Sequence, residues 1–267
     1  MASFQEILTA AVADLSKHGF DSAERVAKWQ EQLQKAAEVY AGVGRRAEEM
    51  LRESFAVIYR RLIEQGGILR YHPGVERYTL VKLAPHLRGE LSRRIQLSAN
   101  LIVLNKEEAI AKTLRRFSGW ATSVPVGGSD IVDKVDVKKA VTKSIKVLPF
   151  VERRVIIDQG HKFRASLSEI VARDNKAIAA RWHSHFKEAG YDFREDHKER
   201  DSKVYLVRGN WAQEKGLVKV GTDGYFEDVT APGEEVNCRC WVTWVYSLRQ
   251  LPEQMLTVKG KEALQRK

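Results

Sequence analysis

The side chains best suited to chemistry lie in the last third of the chain. Three of its seven histidines, His183, His185 and His197, precede its two cysteines, Cys238 and Cys240. Thiolate sulfur and imidazole nitrogen are the usual ligands of zinc, and a structural site needs four of them. Cys238 and Cys240 could ligate zinc with His197 and one of His183, His185 or Asp196. Structural sites more often space their thiols two to four residues apart, and here one residue, Arg239, separates them. The competing expectation is two small thiols packed beneath loops. In an extended segment Cys238 and Cys240 would face one side and Arg239 the other, toward an acidic partner. A disulfide between neighbours so close would be badly strained, and the chain offers no third cysteine.

A second grouping is Asp192, Arg194 and His197. It reads either as an acid/base centre or as a hydrogen-bonded clasp that fixes a loop. The clasp is the expectation, because no motif sets a nucleophilic serine beside the histidine. The Asp196-His197 pair followed by Asn210 invites comparison with an HNH nuclease, but no histidine follows His197 to complete the metal set. Gly127-Gly128-Ser129 lacks the lysine of a phosphate loop. The site expectation is therefore non-catalytic: a structural cluster of Trp182, Asp192, Arg194, His197, Cys238, Arg239 and Cys240, with His197, Cys238 and Cys240 as the metal candidates and no other cofactor. Trp241 and Trp244 stand three apart in a strand-like run, so one should fill the core and the other lie open as a contact. Both are interface candidates.

The elements that must position these residues are mainly helical. Residues 3–17 are amphipathic and stop at Gly19. Asp21 with Glu24 then makes a capping box. Val26, Trp29, Leu33, Ala36, Tyr40, Val43, Ala47 and Met50 recur every three or four residues, which suits a bundle helix or an oligomerising coiled coil. Gly42 and Gly44 mark a kink or break there. Two short apolar runs, Ile68, Leu69 and Tyr71 before His72-Pro73-Gly74 and Tyr78, Leu80 and Val81 after it, suggest a hairpin or an extended arm over 68–83. Helix is expected again from Pro85, with another capped start at Asn105, and Pro149 should interrupt the next helix. Residues 150–189 read as helix ending at Gly190, and 204–207 and 236–246 as strands. The fold class is α+β: a mainly helical N-terminal half, then C-terminal helices followed by a small antiparallel sheet with long loops. The expected organisation is a helical domain over 1–123, a linker at 124–129, a second domain over 130–250 and a basic C-terminal tail over 251–267.

Composition bounds the rest. Hydrophobic residues make up 43% of the 267-residue chain, enough for a sizeable core. No stretch approaches the roughly 20 apolar residues of a membrane helix. The N-terminus lacks the basic-then-apolar pattern of a secretory leader. These features suit a protein made and used in a cytoplasm, without membrane contact. The net charge of +10 favours acidic partners, nucleic acid among them, although acidic and basic residues are interspersed throughout.

The order of short motifs after residue 150 is similar to the phage Mu gpF-like family, which includes the SPP1-type minor head proteins. The matching residues are Ala-Arg-Asp-Asn at 172–175, Trp182, Asp192, Arg194, His197, Pro232-Gly233 and Cys238-Arg239-Cys240. A Gly-containing turn usual soon after the histidine is replaced here by Glu199-Arg200-Asp201-Ser202. The resemblance covers residues 150–250 and leaves the first half unmatched. It implies a minor structural head protein of a tailed bacteriophage or prophage, not an enzyme, acting in head morphogenesis and capsid assembly. Its place would be the virion, inside the head or at the portal vertex, after assembly in the host cytoplasm. Expected partners are the portal or major capsid protein, with packaged DNA a further one and oligomerisation open. Some relatives carry an appended toxin or enzyme domain, and none is expected in the short stretch after Cys240. The alternatives are a DNA-binding accessory or ejected virion protein, and a metal-dependent hydrolase built on His197, Cys238 and Cys240.

Overall fold

Helix α1 (Phe4–His18) begins at Ser3, where a reciprocal capping box closes: Glu6 N–H donates to Ser3 Oγ at 3.3 Å and Ser3 N–H to Glu6 Oε2 at 2.7 Å. Phe4, Leu8, Ala11, Val12 and Leu15 then fall on one face and are buried. Asp14 on the next face accepts Arg25 and Trp29 of α2 (Ala23–Ala41) at 2.9 and 2.7 Å. The computed structural model describes residues 3–18, 23–42, 44–124, 134–190 and 192–265. The capping box expected at Asp21, the stop at Gly19 and the linker residues 125–129 lie outside them.

The chain forms two compact units, Met1–Arg52 with Ile95–Ile156 and Glu53–Arg94 with Ile157–Lys267. The division falls inside three helices: α3 (Gly44–Tyr59), α4 (Arg77–Ala121) and α5 (Lys134–Asp174). The first unit is helical. Its core joins the α1 residues to Leu33 and Ala37 of α2, Ile110 and Phe117 of α4, and Val141, Ile145 and Leu148 of α5. The heptad-like seam does not run through: Met50 is exposed while Leu51 and Phe55 are buried. The apolar phase shifts by one residue after the break at Gly42.

Several expected boundaries are corrected. The hairpin over 68–83 is absent; a 3-10 turn (Gly67–Tyr71) leads through Gly74 into α4. Tyr78 and Val81, read as strand residues, are exposed, whereas Leu80, Leu83 and Leu87 are buried at helical spacing. A Cβ on Gly67 would meet Arg61 O at 2.7 Å, so only glycine fits beneath the preceding turn. Pro85 and Pro149 lie inside α4 and α5, and Asn105 is mid-helix. Each proline removes one backbone hydrogen bond, and the core contacts on either side outweigh that loss. Helix α5 ends at Asp174, well before Gly190, because Lys176 adopts a left-handed φ of 55° and Ala177 N–H returns to Ala172 O at 3.0 Å.

The second unit contains the sheet: β1 (Ala179–His183), β2 (Val204–Leu206) and β3 (Trp241–Val245), antiparallel in the order β2-β1-β3. Trp182 is therefore a strand residue, and residues 236–240 form an irregular approach to β3. The register pairs Ala180 with both Tyr205 and Trp244, and Trp182 with Val242. Those five side chains share a core with Cys238, Cys240 and Phe226. The other face buries Ala179, Leu206 and Val245 against Val218, Leu248, Met255 and Leu256. The expected basic tail is folded onto this second core. Helix α8 (Val258–Gln265) packs so closely that a Cβ on Gly260 would fall 2.1 Å from Leu217 O. Lys259 is tied to Lys215 O and Lys261 to Glu253.

A buried polar chain pins the 67–72 turn to α5 and β3. The Trp244 indole N–H donates to Ser168 Oγ at 3.0 Å. Ser168 is thus free to donate to His72 Nε2 at 3.1 Å, leaving Nδ1–H to donate to Tyr246 Oη at 2.6 Å. Burial pushes the His72 pKa down to about 3. Because the unfolded imidazole titrates near 6.5, this contribution is complete above that pH. It is lost as the pH falls from about 6.5 toward 3, at about 1.4 kcal/mol per pH unit. In urea unfolding at pH 7 and pH 4.5, the native chain should lose about 2–3 kcal/mol more than His72→Gln. Parallel losses would show that His72 does not carry this acid sensitivity.

Candidate functional site

Helix α6 (Glu195–Glu199) is one turn long and directs His197 inward, onto the sheet face that carries Trp182. The rings meet edge to face with centroids 5.7 Å apart. Trp182 is fully buried, and Arg200 lies over its ring at 5.2 Å. On its other side His197 meets the two thiols: Nδ1 stands 3.6 Å from Cys238 Sγ and 3.5 Å from Cys240 Sγ. His197, Cys238 and Cys240 are 2%, 0% and 4% exposed, so the three meet away from solvent.

The loop that delivers the cysteines is held from two sides. From α5, Lys162 donates to Glu234 O at 3.2 Å, and Asp158 accepts Asn237 N–H at 2.5 Å. Gly233 sits directly against α5: a Cβ there would come 3.3 Å from both Lys162 Cα and Ala165 Cβ, and its φ is 81°. Glycine is needed for both reasons. From the two ends of α6 come arginines: Arg194, just before it, pairs with Glu235 at 2.6 Å and donates to Val236 O at 3.0 Å. Arg200 pairs with Asp196 at 2.7 Å and donates to Thr230 Oγ1 at 2.9 Å.

Electrostatically the two thiols act as a unit. Cys238 lies well below the ordinary thiol range, chiefly because the Cys240 thiol donates to it, and the Gly233 N–H at 3.4 Å adds to this. Cys240 is correspondingly pushed up. On the far edge of the imidazole, His197 Nε2 is buried without a hydrogen-bond partner. The nearest carboxylate oxygens are Glu235 Oε1 at 3.6 Å and Asp196 Oδ2 at 3.8 Å.

Ligand atoms of His197, Cys238 and Cys240 all lie within 4.8 Å of one another, and this buried group could hold a metal ion. Asp196, His197 and Glu235 form a second, more exposed group on the opposite ring nitrogen. Of the expected fourth candidates, His183 bonds Thr243 and stacks on Trp241, His185 pairs with Glu188, and Asp196 lies on the Nε2 side of His197, away from the thiols. Ser184 Oγ is 4.0 Å from Cys240 Sγ.

The expected clasp of Asp192, Arg194 and His197 does not form. Asp192 is exposed, and Arg194 reaches Glu235 instead. Trp244 is buried and is no interface candidate, while Trp241 remains partly open on the other face of β3. Asn210 caps the short helix α7 (Trp211–Glu214) by accepting Ala212 and Gln213 N–H at 3.0 Å, which gives it a structural role. Glu235, Asp158 and Lys162 are the partners that sequence reasoning missed. Only Arg200, four residues after Asp196 on one helix, carried a readable spacing.

Removing the ring that backs His197 should be costly. Trp182→Ala is expected to destabilise the chain by about 3–5 kcal/mol, whereas Asp192→Ala should stay within about 0.5 kcal/mol. Chemical denaturation of both variants checks this, and comparable losses would contradict the assignment. Comparison of the chain with protein-family models, curated proteins and solved structures finds no match.

Proposed function

We propose that the protein is a minor structural head protein of a tailed bacteriophage or prophage, acting in head assembly near the portal. The observation that carries this reading is convergence. Trp182, His197, Gly233, Cys238 and Cys240, which carry the resemblance to the gpF-like family, are far apart in sequence yet meet in one buried group or brace its loop. Arg194 braces that loop as well. Motif residues that converge in a buried group, with Cys240 bordering a pocket of about 30 Å³, favour a fold-fixing role over catalysis. The test is genetic and biochemical. The protein should co-purify with heads in low copy number, and deletion of its gene should impair head assembly. Particles that assemble and package DNA normally without it would overturn the reading.

We further infer that the buried group is a structural zinc site. With Zn–N near 2.0–2.1 Å and Zn–S near 2.3 Å, the nitrogen–sulfur edge of a zinc tetrahedron is about 3.6 Å. The two nitrogen–sulfur distances here are 3.6 and 3.5 Å. His197 would bind through Nδ1, leaving Nε2–H to turn toward Glu235 or Asp196, the usual way an outer carboxylate orients a ligating histidine. The fourth position would fall to water or to the Ser184 hydroxyl. Burial of the three ligands favours this structural role over the hydrolase alternative. Chain purified without chelator should contain about one equivalent of zinc, reduced strongly in Cys238→Ser and Cys240→Ser. Folded, metal-free chain that takes up no zinc would remove the site.

A further inference from the structure

The partly open Trp241 belongs to a different surface from the thiol group. A cleft of about 440 Å³ opens beside β3, lined by Arg70, Arg164, His183, His185 and Trp241, with Tyr71 at its base. All of these residues lie in the second unit. No carboxylate lines the cleft. Arg164 is half-buried on α5 and makes no salt bridge among the described residues. Its guanidinium and that of Arg70 sit over the Tyr71 ring at 6.0 and 4.5 Å, and Arg70 also donates to the Tyr71 hydroxyl. Both guanidinium groups therefore lie against one ring, while His185 of the same cleft pairs with Glu188 at 3.1 Å. The same field is felt nearby: His161 is pushed down to about 4 by burial first, and then by Arg164, Arg239 and His185, with Asp158 opposing.

Flat surfaces accompany the charge. His183 stacks on Trp241 with centroids 5.1 Å apart and planes 16° apart, and His185 meets Trp241 edge-on at 5.6 Å. Arginines in one cleft with an aromatic platform are a combination that recognises a nucleic-acid strand whose bases are unpaired: phosphate goes to the guanidinium and a base face to the ring. A duplex keeps its base faces stacked inside and presents none to such a platform. An acidic protein segment would satisfy the arginines but leave the rings without a planar partner.

We propose that this cleft binds single-stranded nucleic acid, with Arg70 and Arg164 taking phosphate and the Trp241 ring taking a base. The site differs from the basic C-terminal segment that the sequence suggested, whose Lys259 and Lys261 are already engaged. It stands apart from the head-assembly and zinc readings and would survive the failure of either.

The test uses the full chain and a fluorescently labelled oligothymidylate. Anisotropy should show binding whose affinity falls with salt, at a slope near −1.4 for about two phosphate contacts on a single strand. Oligonucleotide should quench tryptophan fluorescence, and Trp241→Leu should abolish most of the quench. Arg70→Gln with Arg164→Gln should weaken binding about tenfold or more in a chain that still melts cooperatively. No binding at low salt, or equal binding by the double variant, would overturn the proposal. Duplex DNA or polyglutamate competing as well as the oligonucleotide would equally overturn it, in favour of a general polyanion or an acidic partner.

Discussion

An imidazole and two thiols shut away from water at one point is the constraint around which the second unit is arranged. A buried polar atom without a partner costs about 1–3 kcal/mol, and His197 Nε2 is such an atom. The surroundings are built to hold the ring regardless. Trp182 backs it from the sheet, α6 presents it, and the loop ending in Cys240 closes over it. That loop in turn requires Gly233 against α5 and the Arg194–Glu235 and Arg200–Thr230 contacts from the two ends of α6. These surface-facing pairs are weak singly; what they do together is set the position of two sulfurs relative to one nitrogen.

This dependence explains the division of labour across the sheet. Central strand β1 is buried on both faces at its start, where the small residues Ala179 and Ala180 let two cores approach; further on, Arg181 is exposed. One core carries the thiol group. The other is finished by the C-terminal segment, where Gly260 and Met255 pack beneath the Leu217 stretch. At its edge, β3 directs Trp244 inward and Trp241 outward, so one strand serves both a closed polar group and an open, positively charged cleft.

The α+β class and the pairing of His197 with Cys238 and Cys240 were legible in the sequence, because helix periodicity, β-branched runs and ligand-type residues are local signals. The misread elements failed for physical reasons that act over longer range. Pro85 and Pro149 look like helix boundaries, yet apolar packing on either side outweighs one lost hydrogen bond each. The true end of α5 is marked by Lys176 in a left-handed conformation, where a glycine would have been the visible sign. Trp182 therefore moved from helix to strand. Asp192 and Arg194 look paired by proximity in sequence, but Arg194 is drawn to Glu235, 41 residues away along the chain. The polar chain from Trp244 through Ser168 and His72 to Tyr246 has no local signature at all, since it joins three distant segments.

In the proposed zinc site, the nitrogen of one histidine and the sulfurs of two cysteines share one ion. X-ray absorption at the zinc edge of the purified chain tests this most directly. The expected first shell has two sulfurs near 2.3 Å and nitrogen or oxygen near 2.0–2.1 Å, with one sulfur lost in Cys240→Ser. A shell made only of oxygen and nitrogen, or one unchanged by that substitution, would contradict it.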